Sequence, residues 1–276
     1  LGVFYNEEGS MFYEVLLLGQ LEWNFLLFVF LFGITIVYSY VLVKFTSIRL
    51  FSKQPVLFFL SLILLYITIG SPLSAFSHLS FSLHMVHMSF LYFIVPPLIL
   101  AGIPKSLFDL RKKIPLFNGI QKVLLTPKQA LFLFSLLFLL YHLPVILNFL
   151  TQNAFFQHGY LFLLFILSFS LWWPIISPDP KQRLYNEKKK KYLLLSGLIL
   201  MPACMLFILN AFIEGSQNPF LNQITAQLCL PSDVDSEYMN SITSPIHTKY
   251  DQMMAGVLML GMHKFGMMLS SHLQKS

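Results

Sequence analysis

The sequence predicts an all-α integral membrane protein, a bundle of seven transmembrane helices with the N-terminus outside and the C-terminus cytoplasmic. Three observations carry that expectation. The chain is 56% hydrophobic and 11% charged, whereas soluble domains are about 25% charged. Several windows approach the ~20 apolar residues that cross a bilayer as a helix. The basic residues recur in alternate connections, the pattern expected where those connections face the cytoplasm.

The expected spans are, in order, 18–43, 55–76, 79–102, 128–149, 155–176, 191–213 and 250–271. Span 1 holds the apolar core "FLLFVFLFGITIVYSYVLV" and span 4 holds "QALFLFSLLFLLY". Helices are expected because backbone polar groups in lipid must be satisfied within the segment. Pro96 and Pro97 in span 3 and Pro202 in span 6 mark kinks or packed breaks. Trp23 falls near the outer end of span 1, and Trp172 and Trp173 near the inner end of span 5, as interfacial aromatics do.

The connections set the direction. Lys44, Arg49 and Lys53 follow span 1. Lys105, Arg111, Lys112, Lys113, Lys122 and Lys128 follow span 3. Lys181, Arg183 and the run Lys188 to Lys191 follow span 5, and Lys264 and Lys275 close the chain. Of the 18 basic residues, all but Lys249 fall on one side. Basic residues favour the cytoplasmic face, so the formal charge of +6 reflects topology and a lipid bilayer, not nucleic acid. Residues 103–127 alternate basic and apolar residues and read as a cytoplasmic interfacial segment. Residues 214–249, rich in Ser, Asn and Gln, form a long extracellular loop. Residues 1–276 thus read as a single seven-span membrane domain. No cleavable signal peptide is expected, since the first segment lacks a basic start and runs too long. Cys204 lies mid-span and Cys229 outside, so no disulfide is predicted. The internal repeat of many transporters is not seen.

Six of the eight histidines fall on or near the outer side. The stretch "HLSFSLHMVHMSFLYFIVPPL" places His78 at the mouth of span 3. His84 and His87 then lie roughly 8 and 12 Å below the outer end, at 1.5 Å per residue. His142 in "YHLP" belongs to the outer half of span 4, and His158 in "FFQHGY" to the start of span 5. His84 with His87, and His84 with Met88, have the three- and four-residue spacings that share a helical face. Met85 is about 100° round the turn from His84. Imidazole with thioether suits copper, the thioether favouring the cuprous ion. Asp251, opening "DQMMAG", is the acid at that level and is placed to orient a ligating imidazole. The candidate metal-site residues are therefore His78, His84, His87, Met88, His142, His158 and Asp251. The competing reading is that these histidines hydrogen-bond between helices. His263 beside Lys264 reads as snorkelling near the inner end. The methionines of span 7 read as packing. Met201, Cys204 and Met205 form a soft i, i+3, i+4 set on span 6, for which packing is the first reading and copper the second.

The segments "HMVHMSFLYFIVPPLILAGIPK", "YHLPVILNF", "WWPIISP", "MPACML" and "DQMMAGVLML" resemble, in that order, the multispan CtaG family of Gram-positive bacteria. That family is distinct from the single-span copper chaperone sharing its name. The resemblance covers spans 2 to 7. It implies a cytochrome c oxidase assembly factor of the bacterial cell membrane, not an enzyme, with an oxidase subunit as partner and the copper centre of the catalytic subunit as the object of its action. It carries over His78, His84, His142, His158 and Asp251 as site residues. His87 rests on helical spacing alone.

Three other readings stand beside this one. A membrane b-type haem protein would use transmembrane histidines such as His84 and His142 as axial ligands. A copper transporter would need a soft path continuing through the inner half. A metal-dependent hydrolase would need a carboxylate base, for which Asp251 alone qualifies. The sequence leaves the oligomeric state open.

Overall fold

The computed structural model describes residues 23–72, 74, 77, 80–110, 126–212 and 249–275. His78, Cys229, His247, most of the interfacial segment and nearly all of the 214–249 loop lie outside the described residues. Among the described residues there are helices and no strands. They are α1 (Phe25–Phe45), α2 (Lys53–Gly70), α3 (Phe81–Ser89), α4 (Val95–Gly102), α5 (Lys105–Leu110), α6 (Pro127–Tyr141), α7 (Pro144–Thr151), α8 (Ala154–Ile176), α9 (Asn186–Phe212) and α10 (Lys249–Lys275). Among the described residues six helical segments are long and apolar enough to cross a membrane, and the bent pair α6–α7 makes a seventh if it is taken as one span.

Span 2 stops at Gly70 rather than 76 because Ser71 precedes Pro72. Proline sterics push the preceding residue out of the α region, and Ser71 is extended at φ −103° and ψ 163°. The same rule breaks span 4. Leu143, before Pro144, is extended, and α7 leaves α6 at 79° with Pro144 in its first turn. The expected straight helix 128–149 is thus an upright α6 and a side-turned α7.

Span 3 is continuous from Phe81 to Gly102 through a π-helical turn at Phe90–Ile94, in which the Val95 N–H reaches back to Phe90 O. Pro96 and Pro97 have no N–H, so the carbonyls of Tyr92 and Phe93 lose their helical donors. The Trp172 indole donates to Tyr92 O at 2.9 Å. Gly266 lets α10 close on Phe93 O, where a Cβ would lie 2.5 Å away. Trp172, expected at the interface, is therefore a fully buried clamp on the π turn.

Spans 3 to 7 form a ring: α3 packs on α10, α10 on α9, α9 on α6, α6 on α8, and α8 back on α4. Span 2 packs outside α4 and span 1 outside span 2. Tyr38 of α1 donates to Gly102 O at 2.7 Å and stacks on Phe58, tying the outer spans to the ring. The ring interior is filled by Phe81, Tyr92, Phe93, Phe134, Phe138, Trp172 and Phe207.

Candidate metal site

His142 is placed by the break in span 4. At the end of α6 the chain tightens, and the His142 N–H bonds to Leu139 O instead of continuing the α pattern. That frees Phe138 O, which accepts from the ring Nδ1 of His142 itself at 2.7 Å. A carbonyl oxygen only accepts, so Nδ1 carries the hydrogen and Nε2 keeps its lone pair. His142 is fully buried, packed against Phe138, Tyr141 and Phe207 at ring separations of 4.7, 5.1 and 5.3 Å. Its Nε2 has no hydrogen-bond partner among the described residues. A backbone carbonyl on one ring nitrogen and a free lone pair on the other is the arrangement that metal-ligating histidines adopt.

His84 and Met88 sit on α3, both buried, and His87 is half-buried. Phe207 of α9 joins the two histidine-bearing elements: it touches the His142 ring on one side and Phe81, one turn before His84, on the other, at 6.4 Å. Asp251 at the start of α10 holds α3 in place. Its Oδ2 accepts from the Phe81 N–H at 2.7 Å and its Oδ1 from the Ser82 N–H at 3.1 Å and from the Ser82 hydroxyl. The carboxylate thereby caps the positive end of the helix that carries His84. Ser80 adds a second cap by accepting from the Leu83 N–H at 3.1 Å. Asp251 acts on α3 through its backbone.

The structure thus brings His84, Met88 and His142 into the ring core, with Asp251 fastened at the mouth. His158 stands apart on the exposed start of α8, its Nδ1 bonded to Ala154 O at 2.6 Å. Among the described residues no three His, Cys, Asp or Glu side chains gather as a metal group. A buried imidazole whose Nε2 lone pair is held ready could ligate a soft ion that accepts low coordination, such as cuprous copper.

Sequence reasoning missed several core residues. His263 does not snorkel: it is buried mid-span, 5.1 Å from the Phe93 ring and 6.2 Å from the Trp172 ring. Gln252, Met259, His263 and Ser270 are all buried along one stripe of α10. Their spacing of seven, four and seven residues is the signal that could have found them. The set Met201, Cys204 and Met205 does not hold together, because Cys204 is fully buried while Met201 is exposed.

No curated protein and no solved structure matches this chain. A model of the cytochrome c oxidase caa3 assembly factor family matches residues 30–272, from within α1 almost to the end of α10. That match spans every helix of the ring and each buried histidine described above, and on it the chain belongs to the caa3-type cytochrome c oxidase assembly factor (Caa3_CtaG) family.

Proposed function

We propose that this membrane protein assists cytochrome c oxidase assembly by carrying a cuprous ion to the copper centre of the oxidase catalytic subunit, without itself catalysing a reaction. The observation that carries the reading is the buried Nε2 of His142, whose lone pair is held ready by the Nδ1 bond to Phe138 O. Copper is the cargo. His142 and His84 supply imidazole, Met88 supplies thioether, and Asp251 keeps α3 and its ligands at the mouth of the ring. His78 and His158, at the side expected to face outward, would receive the ion first, and His87 is a further imidazole on α3. Release to the oxidase suits an incomplete ligand set, which loses to a more complete one. The bacterial cell membrane, with basic loops cytoplasmic, is the setting that the charge asymmetry supports.

The test is copper content and visible spectrum of detergent-purified protein after cuprous loading, beside a His84→Ala/His142→Ala variant. Bound copper in the parent, lost in the variant and without a haem band, is the expected result. Equal copper in both proteins refutes the site. A haem band would replace it with the cytochrome reading.

A further inference from the structure

We propose that the π turn of span 3 is a register switch for release: a slip of one residue turns α3 by about 100° and carries His84 and Met88 out of the core. It deepens the copper reading above and rests on it for the identity of what is released. The slip itself is a property of the helix.

The turn has two ways to close. The Val95 N–H bonds to Phe90 O, five residues back, where a regular helix would use Leu91 O, four residues back. Pro96 and Pro97 have no N–H, so neither competes for Leu91 O. Either register therefore makes one main-chain bond at Val95. Below the turn the chain is fixed from other spans: the Trp172 indole holds Tyr92 O, and Gly266 closes on Phe93 O. Above it, the hold on α3 is transferable. Asp251 accepts from the Phe81 and Ser82 N–H groups, and after the slip the N–H groups of Ser82 and Leu83 stand in those places. The Ser89 hydroxyl is buried without a partner among the described residues, whereas Ser61, Ser168 and Ser196 each bond a carbonyl of their own helix. A buried hydrogen bond left unmade weighs against the register seen and narrows its lead over the other.

The slip moves each residue of α3 into the place of the one before it, about 1.5 Å towards the mouth. His84, 7% exposed, takes the place of Leu83, which is 41% exposed. Met88 passes from the core to the half-buried place of His87. Met85 enters the place of His84 and stays buried. The core then keeps the His142 imidazole and loses both ligands that α3 supplies. His84 emerges on the outer face of the ring, within the membrane, where a second membrane protein can meet it. The register seen is the resting one, because it buries Phe81 and Met88 and keeps the Ser80 cap and the Ser82 hydroxyl bond to Asp251. A partner that binds α3 with His84 exposed shifts the population to the other register.

The experiment follows alkylation of single cysteines by N-ethylmaleimide in the full-length protein in detergent, without copper, in a Cys204→Ser/Cys229→Ser background. Leu83→Cys, His84→Cys, Met85→Cys and Met88→Cys are compared, each with and without deletion of Leu91. The deletion removes the extra residue of the turn and leaves a regular helix with position 84 still facing the core. The expected result is that Leu83→Cys reacts in both backgrounds and that His84→Cys and Met88→Cys react only while Leu91 is present. Met85→Cys, buried in both registers, is expected to react in neither. Met88→Cys carries the test if His84→Cys fails to fold, and the contrast with Met85→Cys carries it if the deletion does. Equal reactivity of His84→Cys, Met85→Cys and Met88→Cys is local unfolding and overturns the inference. Protection of both His84→Cys and Met88→Cys overturns it too, as does reactivity that survives the deletion. Release is read in the copper-loaded protein with its native cysteines: a cuprous chelator should strip the ion more slowly from the Leu91 deletion than from the parent, and equal rates overturn that role. A parent that binds no copper overturns the release of copper and leaves the labelling result to decide the slip.

Discussion

Replacing Trp172 by phenylalanine removes the donor that satisfies the Tyr92 carbonyl, orphaned by Pro96. An unsatisfied buried carbonyl costs about 1–3 kcal/mol. Hydrogen bonds between transmembrane helices average about 0.6 kcal/mol and reach about 1.7 kcal/mol. The Tyr92 site is fully buried, so the upper part of the membrane range applies, and Trp172→Phe is expected to destabilise the protein by about 1–2 kcal/mol. Pro96→Ala restores a main-chain N–H that can bond the same carbonyl from within span 3. The double variant should therefore recover about 1 kcal/mol relative to the sum of the singles, within the usual range for directly coupled residues. The assay is reversible unfolding in mixed micelles followed by far-UV circular dichroism, where about 1.4 kcal/mol is tenfold in the unfolding constant. A Trp172→Phe protein as stable as the parent would refute the reasoning. So would strict additivity of the two substitutions, because the indole would then not be standing in for the missing proline N–H.

Three other outcomes are expected. Asp251→Asn puts an amide NH2 among the Phe81 and Ser82 donors, weakening the cap on α3 by about 1–2 kcal/mol; hydrogen exchange at residues 81–84 should accelerate, and unchanged protection would contradict the capping role. Gly102→Ala forces a Cβ to within 2.6 Å of the Phe58 backbone nitrogen, so α2 must move off α4 at a cost of about 1–3 kcal/mol. Gly33→Ala, which meets nothing within 4 Å, should leave the melting temperature unchanged, and equal melting of the two variants would show the close approach to be unimportant. In a Cys204→Ser/Cys229→Ser background, Lys249→Cys should react with an impermeant maleimide on intact cells and Lys188→Cys should not. The reverse pattern would invert the topology.

Fold class was legible because the bilayer imposes one solution on any long apolar segment, and the span positions followed from it. Bends were legible only in part. Pro96 and Pro97 announced a disturbance in span 3, but that the helix continues through a π turn depends on Trp172 and Gly266, which lie on other spans. Pro144 broke span 4 by a local rule that the apolar run around it concealed. His84, Met88 and His142 stood out in the sequence as ionisable or soft residues interrupting an apolar stretch, and the structure buries all three. Asp251 was identified, but its bonds run to the α3 backbone, a partner roughly 170 residues away in sequence.

The sequence by itself determined that this chain is helical, that its long helices are apolar enough to enter a membrane, and that its basic residues gather in alternate connections. Those properties depend on transfer from water to lipid, which each segment undergoes with little reference to the others. Only the tertiary structure decided which face of each helix turns inward. Lipid tails are as apolar as leucine, so hydrophobicity cannot sort one face of an apolar helix from another. That choice fell to close packing at Gly256 and Gly266 and to hydrogen bonds between spans, and with it the burial of His142, His263, Cys204 and Met259 in one core.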